Sequence, residues 1–190
     1  MKLTALLLTG ILTPTASLAA CWELRQEPGA FTFVGTQAGA PARGVFERYT
    51  GVLSLPSGDI GQGFLKVRVD VASLETQLPE LNEVLRGAEF FDAARWPSAH
   101  FTSDSLKALG DDRYQVRGDL HIRDITHQRT TEFRITGPAG HRRLQGKDSI
   151  KRLDYGVGTG EWKNTRWVGN QVSVEVDVAL EAVDERACGN

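Results

Sequence analysis

From Gln171 to Ala182, apolar and polar residues alternate almost without a break. Val172, Val174, Val176, Val178, Leu180 and Ala182 hold one parity, while Ser173, Glu175, Asp177 and Glu181 hold most of the other. A period of two sends successive side chains to opposite faces of a strand, so this segment predicts a strand with one wet face and one apolar face. A helix would repeat its apolar positions at three and four instead. The alternation returns at Leu65/Val67/Val69/Val71, at Tyr114/Val116/Gly118/Leu120 and at Thr131/Phe133/Ile135. Turn signals at Pro28-Gly29, Ser57-Gly58-Asp59, Gly110-Asp111-Asp112 and Val168-Gly169-Asn170 separate such segments.

Strands are expected over 22–35, 43–54, 63–74, 98–107, 112–122, 128–137, 143–155 and 171–183. One segment breaks the pattern. Leu78, Leu81, Val84 and Leu85 are spaced by three and four, with Pro79 suited to a first turn, and predict one short helix stopped at Gly87. The fold class is therefore all-β: one antiparallel sheet of eight strands curved around an apolar interior, about the number at which a barrel can hold one small ligand. Val67, Val69, Phe133, Ile135, Val172, Val174, Val176 and Val178 are expected inside, with Lys66, Arg68, Glu175 and Asp177 in water. The same patterning suits a filled core and a hollow tube alike.

The ends of the chain add a compartment. Residues 1–20 carry one charge, Lys2, then an apolar run, then Ala16-Ser17-Leu18-Ala19-Ala20, which is the plan of a secretory signal peptide. The domain proper is then 21–190, exported to the periplasm. Its net charge, −2 for the whole chain and −3 without Lys2, argues against nucleic acid as a partner. Two cysteines remain, Cys21 and Cys188. Leu18-Ala19-Ala20-Cys21 fits a lipobox, which would acylate Cys21 and anchor a lipoprotein. A Cys21–Cys188 disulfide at one rim of a closed barrel is the competing reading, and it leaves no thiol unpaired.

Several ordered blocks resemble the YceI-like family. Phe90-Phe91-Asp92, Pro97 and Phe101-Thr102-Ser103 follow the helix in the family's order. Val69-Asp70-Val71-Ala72-Ser73-Leu74-Glu75-Thr76 is similar to its strand ending in Ala-Ser-x-x-Thr. Gly118-Asp119-Leu120-His121-Ile122-Arg123-Asp124-Ile125-Thr126 resembles its Gly-Asp-Leu block, with Asp124 where glycine is usual. Arg152-Leu153-Asp154-Tyr155-Gly156-Val157-Gly158 and Gly160-Glu161-Trp162 resemble a segment of its exported branch, with Tyr155 in place of phenylalanine. The resemblance spans about 22–183. It implies a lipocalin-like barrel holding a long apolar chain such as a polyisoprenoid or isoprenoid quinone, with no catalytic residues to carry over.

The candidate chemistry is sparse. His100, His121, His127 and His141 form no close ligand pair on a helix, although His100 and His121 would approach if their strands pair; no metal site is predicted. No Gly-x-Ser-x-Gly elbow is present. Gly156-Val157-Gly158-Thr159-Gly160 lacks the βαβ context of a nucleotide loop and reads as a connection. Arg152 and Asp154 share parity with Ile150, so both are expected inside, either as a structural network or facing a polar headgroup. Trp162 and Trp167 are expected at the rim, gripping a lipid or plugging the barrel.

These readings converge on a non-catalytic carrier without cofactor, whose lining comprises Phe31, Phe33, Val67, Val69, Phe101, Phe133, Ile135, Ile150, Val172, Val174 and Val176. Arg152, Asp154, Trp162 and Trp167 are the candidate headgroup or rim contacts. The partner is a long-chain lipid, an isoprenoid or a quinone, with transient membrane contact. Two alternatives stand: a structural or stress-response envelope protein with a filled barrel, and a lipid- or quinone-modifying enzyme.

Overall fold

The computed structural model describes residues 20–56, 59–184 and 188. The expected leader, apart from Ala20, lies outside them. Strands run β1 (Ala20–Leu24), β2 (Phe31–Gln37), β3 (Ala40–Phe46), β4 (Tyr49–Leu55), β5 (Phe64–Asp70) and β6 (Leu74–Thr76). After helix α1 (Pro79–Arg86) come β7 (Ser98–Gly110), β8 (Arg113–Ile122), β9 (Ile125–Thr136), β10 (Arg143–Lys151) and β11 (Gln171–Val183).

Every ladder is antiparallel, and the ring β1-β4-β5-β7-β8-β9-β10-β11 closes where Cys21–Leu24 pairs with Leu180–Val183. β2 pairs with the other half of the same β11 edge, β3 with β2, and β6 with β3. The pairs β1/β2, β3/β4 and β5/β6 are thus three bent strands, and the described residues within 20–184 form an eight-stranded barrel with the one α-helix α1.

The expected strands over 22–35, 43–54 and 63–74 are each interrupted. At a bend the backbone leaves the ladder and its polar groups need other partners. Buried Tyr49 supplies one set: its hydroxyl accepts from the Glu27 N–H (2.9 Å) and donates to the Arg25 carbonyl (2.5 Å). Buried Ser73 supplies the other, accepting from the Arg48 N–H (2.9 Å) and donating to the Asp70 carbonyl (2.6 Å). The strand expected over 143–155 stops at Lys151, and Arg152–Tyr155 coil into a 3-10 turn. Parity read from Ile150 fails there, and Asp154 is exposed. Gly87 ends α1 in an extended conformation, not a left-handed one. The β8–β9 turn places its positive φ (58°) on Arg123, so Asp124 needs no glycine-like backbone.

Two apolar clusters occupy the poles. One gathers Trp22, Leu24, Leu53, Leu106, Val116, Ile135, Leu144 and Val178 among others; the opposite one gathers Phe90, Ile122, Tyr155 and Val157, with Trp162 and Leu85 packed against them. Charges at Lys66, Arg68 and Asp177 are exposed, and Glu175 pairs with Lys147 on the outer face at 2.7 Å.

Cys21 and Cys188 form a disulfide, with Cα atoms 6.1 Å apart and 167 residues between them in sequence. A sulfur so bonded cannot also carry the thioether of an acylated lipobox. The non-reduced protein should be two hydrogens lighter than its dithiol form by mass spectrometry, and Cys188→Ser should cost roughly 2–5 kcal/mol in denaturant unfolding.

Glu27 holds the first bend against β11. Burial pushes its pKa up, but the Ala179 N–H (3.1 Å) and the Arg143 guanidinium (3.0 Å) outweigh that and hold it below its ordinary 4.5. A carboxylate with a lowered folded-state pKa contributes stability that is complete above its unfolded value and is lost as pH falls through the folded value. Acid titration of stability in Glu27→Gln should therefore be shallower below pH 4.5 than in the parent, while the variant is the less stable of the two at neutral pH.

Candidate functional site

Between the two clusters lies a cavity of about 530 Å³, within the range of small-molecule sites. Barrel parity builds its wall. Val67 of β5 stands opposite Phe101 of β7, which stands opposite Leu120 of β8, and all three line the space. Val172, Val174 and Val176 of β11 line it beside Phe33 of β2, which pairs with Val174. Residues of the closed pole, such as Val178 and Ile135, are fully buried. Val67, Val69, Phe101, Val172, Val174 and Val176 have the same inward direction yet stay only partly buried. Their remaining accessible surface is the cavity wall.

Of the predicted lining, Phe31, Phe33, Val67, Val69, Phe101, Phe133, Ile150, Val172, Val174 and Val176 border the cavity; Ile135 sits below it in the core. The mouth is edged by α1, through Leu78, Leu81, Val84 and Leu85, and by Gln37 and Val168. Polar residues hold this helix down. Buried Asn82 accepts from the Thr76 N–H and hydroxyl (both 2.7 Å) and donates to Glu75 (2.6 Å), and Arg86 pairs with Glu75 (2.6 Å). The helix can therefore turn apolar side chains to the mouth, where Leu78 and Val84 are 58% and 39% exposed.

The rim candidates separate. Arg152, 4% exposed, spends every N–H on a carbonyl: Nε on Gly169 (2.9 Å), Nη1 on Val157 (2.8 Å) and Gly158 (3.0 Å), and Nη2 on Trp162 (2.5 Å) and Val168 (2.7 Å). Burial lowers its pKa, since no carboxylate pairs with it. It organises the 152–170 segment and has no donor left for a headgroup. Gly158, at φ +80°, must be glycine because a Cβ there would strike this guanidinium. Trp162 plugs, with its indole on Glu89 Oε2 (2.8 Å) and its ring 5.4 Å from Phe90. Trp167 does the opposite and is 64% exposed. Asp154 faces solvent, and its backbone carbonyl accepts from His127 (3.0 Å).

Two further inward charges border the cavity, outside the predicted set. Arg129 of β9 and Asp148 of β10 line the cavity and pair with each other at 3.1 Å. They meet where the β9–β10 ladder, which runs only from Arg143↔Thr136 to Gly146↔Phe133, has already ended. Buried Tyr155 lines the cavity nearby. The signal was present: Arg129 shares parity with Thr131 and Phe133, and Asp148 shares parity with Ile150. His100 and His121 do stack across the β7–β8 ladder, at 4.6 Å between ring centroids. Among the described residues, no three His, Cys, Asp or Glu side chains come together as metal ligands.

The sequence profile of the YceI-like domain matches residues 22–180. The chain belongs to the YceI-like family. It is similar to Protein YceI of Escherichia coli O17:K52:H18, 29% identical over 138 residues that cover 70% of this chain and 72% of that one. Among solved structures it resembles BcnA of Burkholderia cenocepacia, with a TM-score of 0.75 and 26% identity over 83% of this chain and 95% of the other. It shares its fold with a polyisoprenoid-binding domain from Saccharophagus degradans, with a TM-score of 0.68 at 17% identity over 85% and 98% of the two chains.

In this YceI-like chain the family-resembling blocks serve mostly to close the barrel. Ser73 fixes a bend, Thr76 seats α1, Phe90 packs under the 152–170 segment, and Arg152 with Gly158 shapes that segment. Arg152→Lys replaces five fixed donors with three on a single nitrogen and strands several buried carbonyls. It should destabilise by about 3 kcal/mol or more, read as a melting temperature lower by roughly 6–12 °C.

Proposed function

We propose that this protein is a non-catalytic carrier of a long apolar ligand of the isoprenoid class, exported to the periplasm by its leader. The observation that carries the reading is the cavity wall: inward valines and phenylalanines that keep accessible surface inside a closed barrel. Burial contributes about 0.8 kcal/mol per methylene, so an isoprenoid tail gains ample affinity without many polar contacts. The likeness to a domain named for polyisoprenoid binding agrees with this ligand class. A disulfide joining the chain's ends suits an oxidising compartment. Leu78, Val84 and Trp167, exposed at or beside the mouth, give it the apolar edge that transfer from a lipid surface requires.

Lipid extraction and mass spectrometry of protein purified from its own host should recover a stoichiometric prenyl lipid. Val174→Trp or Val69→Trp places a large ring in the cavity. In a filled core such overpacking costs typically 1–3 kcal/mol. Here the ring enters existing space, so stability should change by less than about 1 kcal/mol while uptake of an isoprenoid quinone is lost. A melt run beside a binding assay with a labelled quinone reads both. Strong destabilisation, with no uptake by the parent, would favour the filled, structural barrel.

A further inference from the structure

On the outer face of the barrel, one row sets cationic and imidazole groups side by side across three strands. Arg68 of β5 stands opposite Thr50 of β4 and His100 of β7; His100 stands opposite His121 of β8, and His121 opposite Thr126 of β9. The two imidazoles lie face to face, with ring centroids 4.6 Å apart and planes 24° from parallel. His121 Nδ1 meets Thr126 Oγ1 at 2.7 Å, which fixes that ring. Arg68 and His100 are exposed, and with Lys66, Thr50, Val52 and Thr102 they border an open hollow of about 460 Å³ on the outside of the wall. Like charges directly opposite one another destabilise a sheet. Elsewhere on this surface such cations are answered: Arg48 by Asp70 (2.8 Å), Arg117 by Asp104 (3.1 Å) and Lys147 by Glu175 (2.7 Å). Among the described residues, Arg68, His100 and Lys66 have no carboxylate partner; Lys66 packs over the Phe64 ring at 4.9 Å. Of the nearby acids, Glu23 of β1 lies beyond Val52, Asp119 of β8 stands opposite Thr102, and Asp70 is committed to Arg48.

We propose that Arg68, His100 and Lys66 form an oxyanion site on the outer face of β5 and β7 that takes a phosphate group, and that His100 tightens it as pH falls. The site lies outside the cavity and does not depend on the carrier reading. The planar fork of Arg68 matches two phosphate oxygens, and a protonated imidazole beside it donates a further charged bond. Burial first, then the His121 ring and the Arg68 charge, hold His100 below its ordinary 6.5. A bound anion offsets the two charge effects and favours the imidazolium, so affinity rises as pH falls and His100 takes up its proton. A divalent metal on the two imidazoles is disfavoured, because Arg68 stands beside them and repels a cation.

The test is proton NMR of the histidine rings between about pH 5 and 8, on the full chain with its disulfide intact, in inorganic phosphate and in chloride of equal ionic strength. Phosphate should raise the His100 midpoint by roughly 0.5 pH unit or more over chloride. Arg68→Gln changes a solvent-facing side chain, so its melt should match the parent, and it should remove the rise. Arg113→Gln, the same charge change elsewhere on the barrel, should leave the rise intact. Sedimentation with phosphatidylglycerol vesicles at about pH 6 separates two sources of phosphate. Vesicle binding lost in Arg68→Gln and kept in Arg113→Gln supports the site with lipid phosphate as its ligand; a phosphate-induced rise without vesicle binding supports it with the free ion. Equal midpoints in phosphate and chloride with no Arg68-dependent vesicle binding overturn the site. So does a rise that survives Arg68→Gln, or Zn²⁺ perturbing both rings where neither phosphate source does.

Discussion

A single buried guanidinium with five carbonyl partners fixes the segment that narrows one end of this barrel. Backbone that crosses the mouth of a barrel has no ladder to satisfy it, and the 152–170 segment does so for nearly twenty residues. Arg152 gathers the carbonyls of Val157, Gly158, Trp162, Val168 and Gly169 onto one planar group, which fixes the course of the segment from inside. Its charge lacks a carboxylate, so desolvation is opposed only by those dipoles. Each carbonyl depends on the arginine and the arginine depends on all of them. With this end narrowed by Phe90, Val157 and Trp162 to the mouth beside α1, and the other filled by the larger core, the barrel is a pocket and not a pore.

Whether such a barrel is filled or hollow is decided by side-chain size along the inward parity. At the closed pole the inward positions carry Leu53, Leu65, Leu106, Leu144, Phe133 and Ile135, which meet across the axis. In the middle layer β11 presents Val172, Val174 and Val176, and β10 presents Gly146. These short side chains cannot reach their counterparts across an eight-stranded ring. The bends at Tyr49 and Ser73 matter for the same reason. They carry β2, β3 and β6 away from the line of β1, β4 and β5, and the space so opened is bordered by Phe33, Ala42, Phe46 and α1.

The strand faces were legible because a period of two is insensitive to where a strand ends. Val67, Val69, Val172 and Val176 lie inside and Lys66, Arg68 and Asp177 outside, on alternation alone. The helix was equally plain from Leu78, Leu81, Val84 and Leu85. The bends were not, since Glu27–Ala30 and Glu47–Arg48 interrupt strands through hydrogen bonds to Tyr49 and Ser73, residues at least twenty positions away. The same blindness misplaced Asp154: parity was carried past Lys151 into a turn formed by the demands of Arg152. Polarity at inward positions was the unused signal. Arg129 and Asp148 sit on apolar parities of two strands, and a charge in that position needs a partner or a purpose.

That pair bears on how selective an apolar pocket can be. A hydrophobic wall discriminates weakly between tails, because each methylene contributes a similar increment whatever the ligand. A polar group buried in such a wall discriminates strongly, since a ligand that fails to meet it leaves a desolvated donor behind. The break in the β9–β10 ladder is what permits one here. Backbone released from pairing above Gly146 leaves room for Arg129 to bridge to Asp148 and the Ser149 carbonyl, so a seam in the sheet places a charged pair at the cavity wall. The pair's opposite charges keep its partial desolvation tolerable beside an apolar wall.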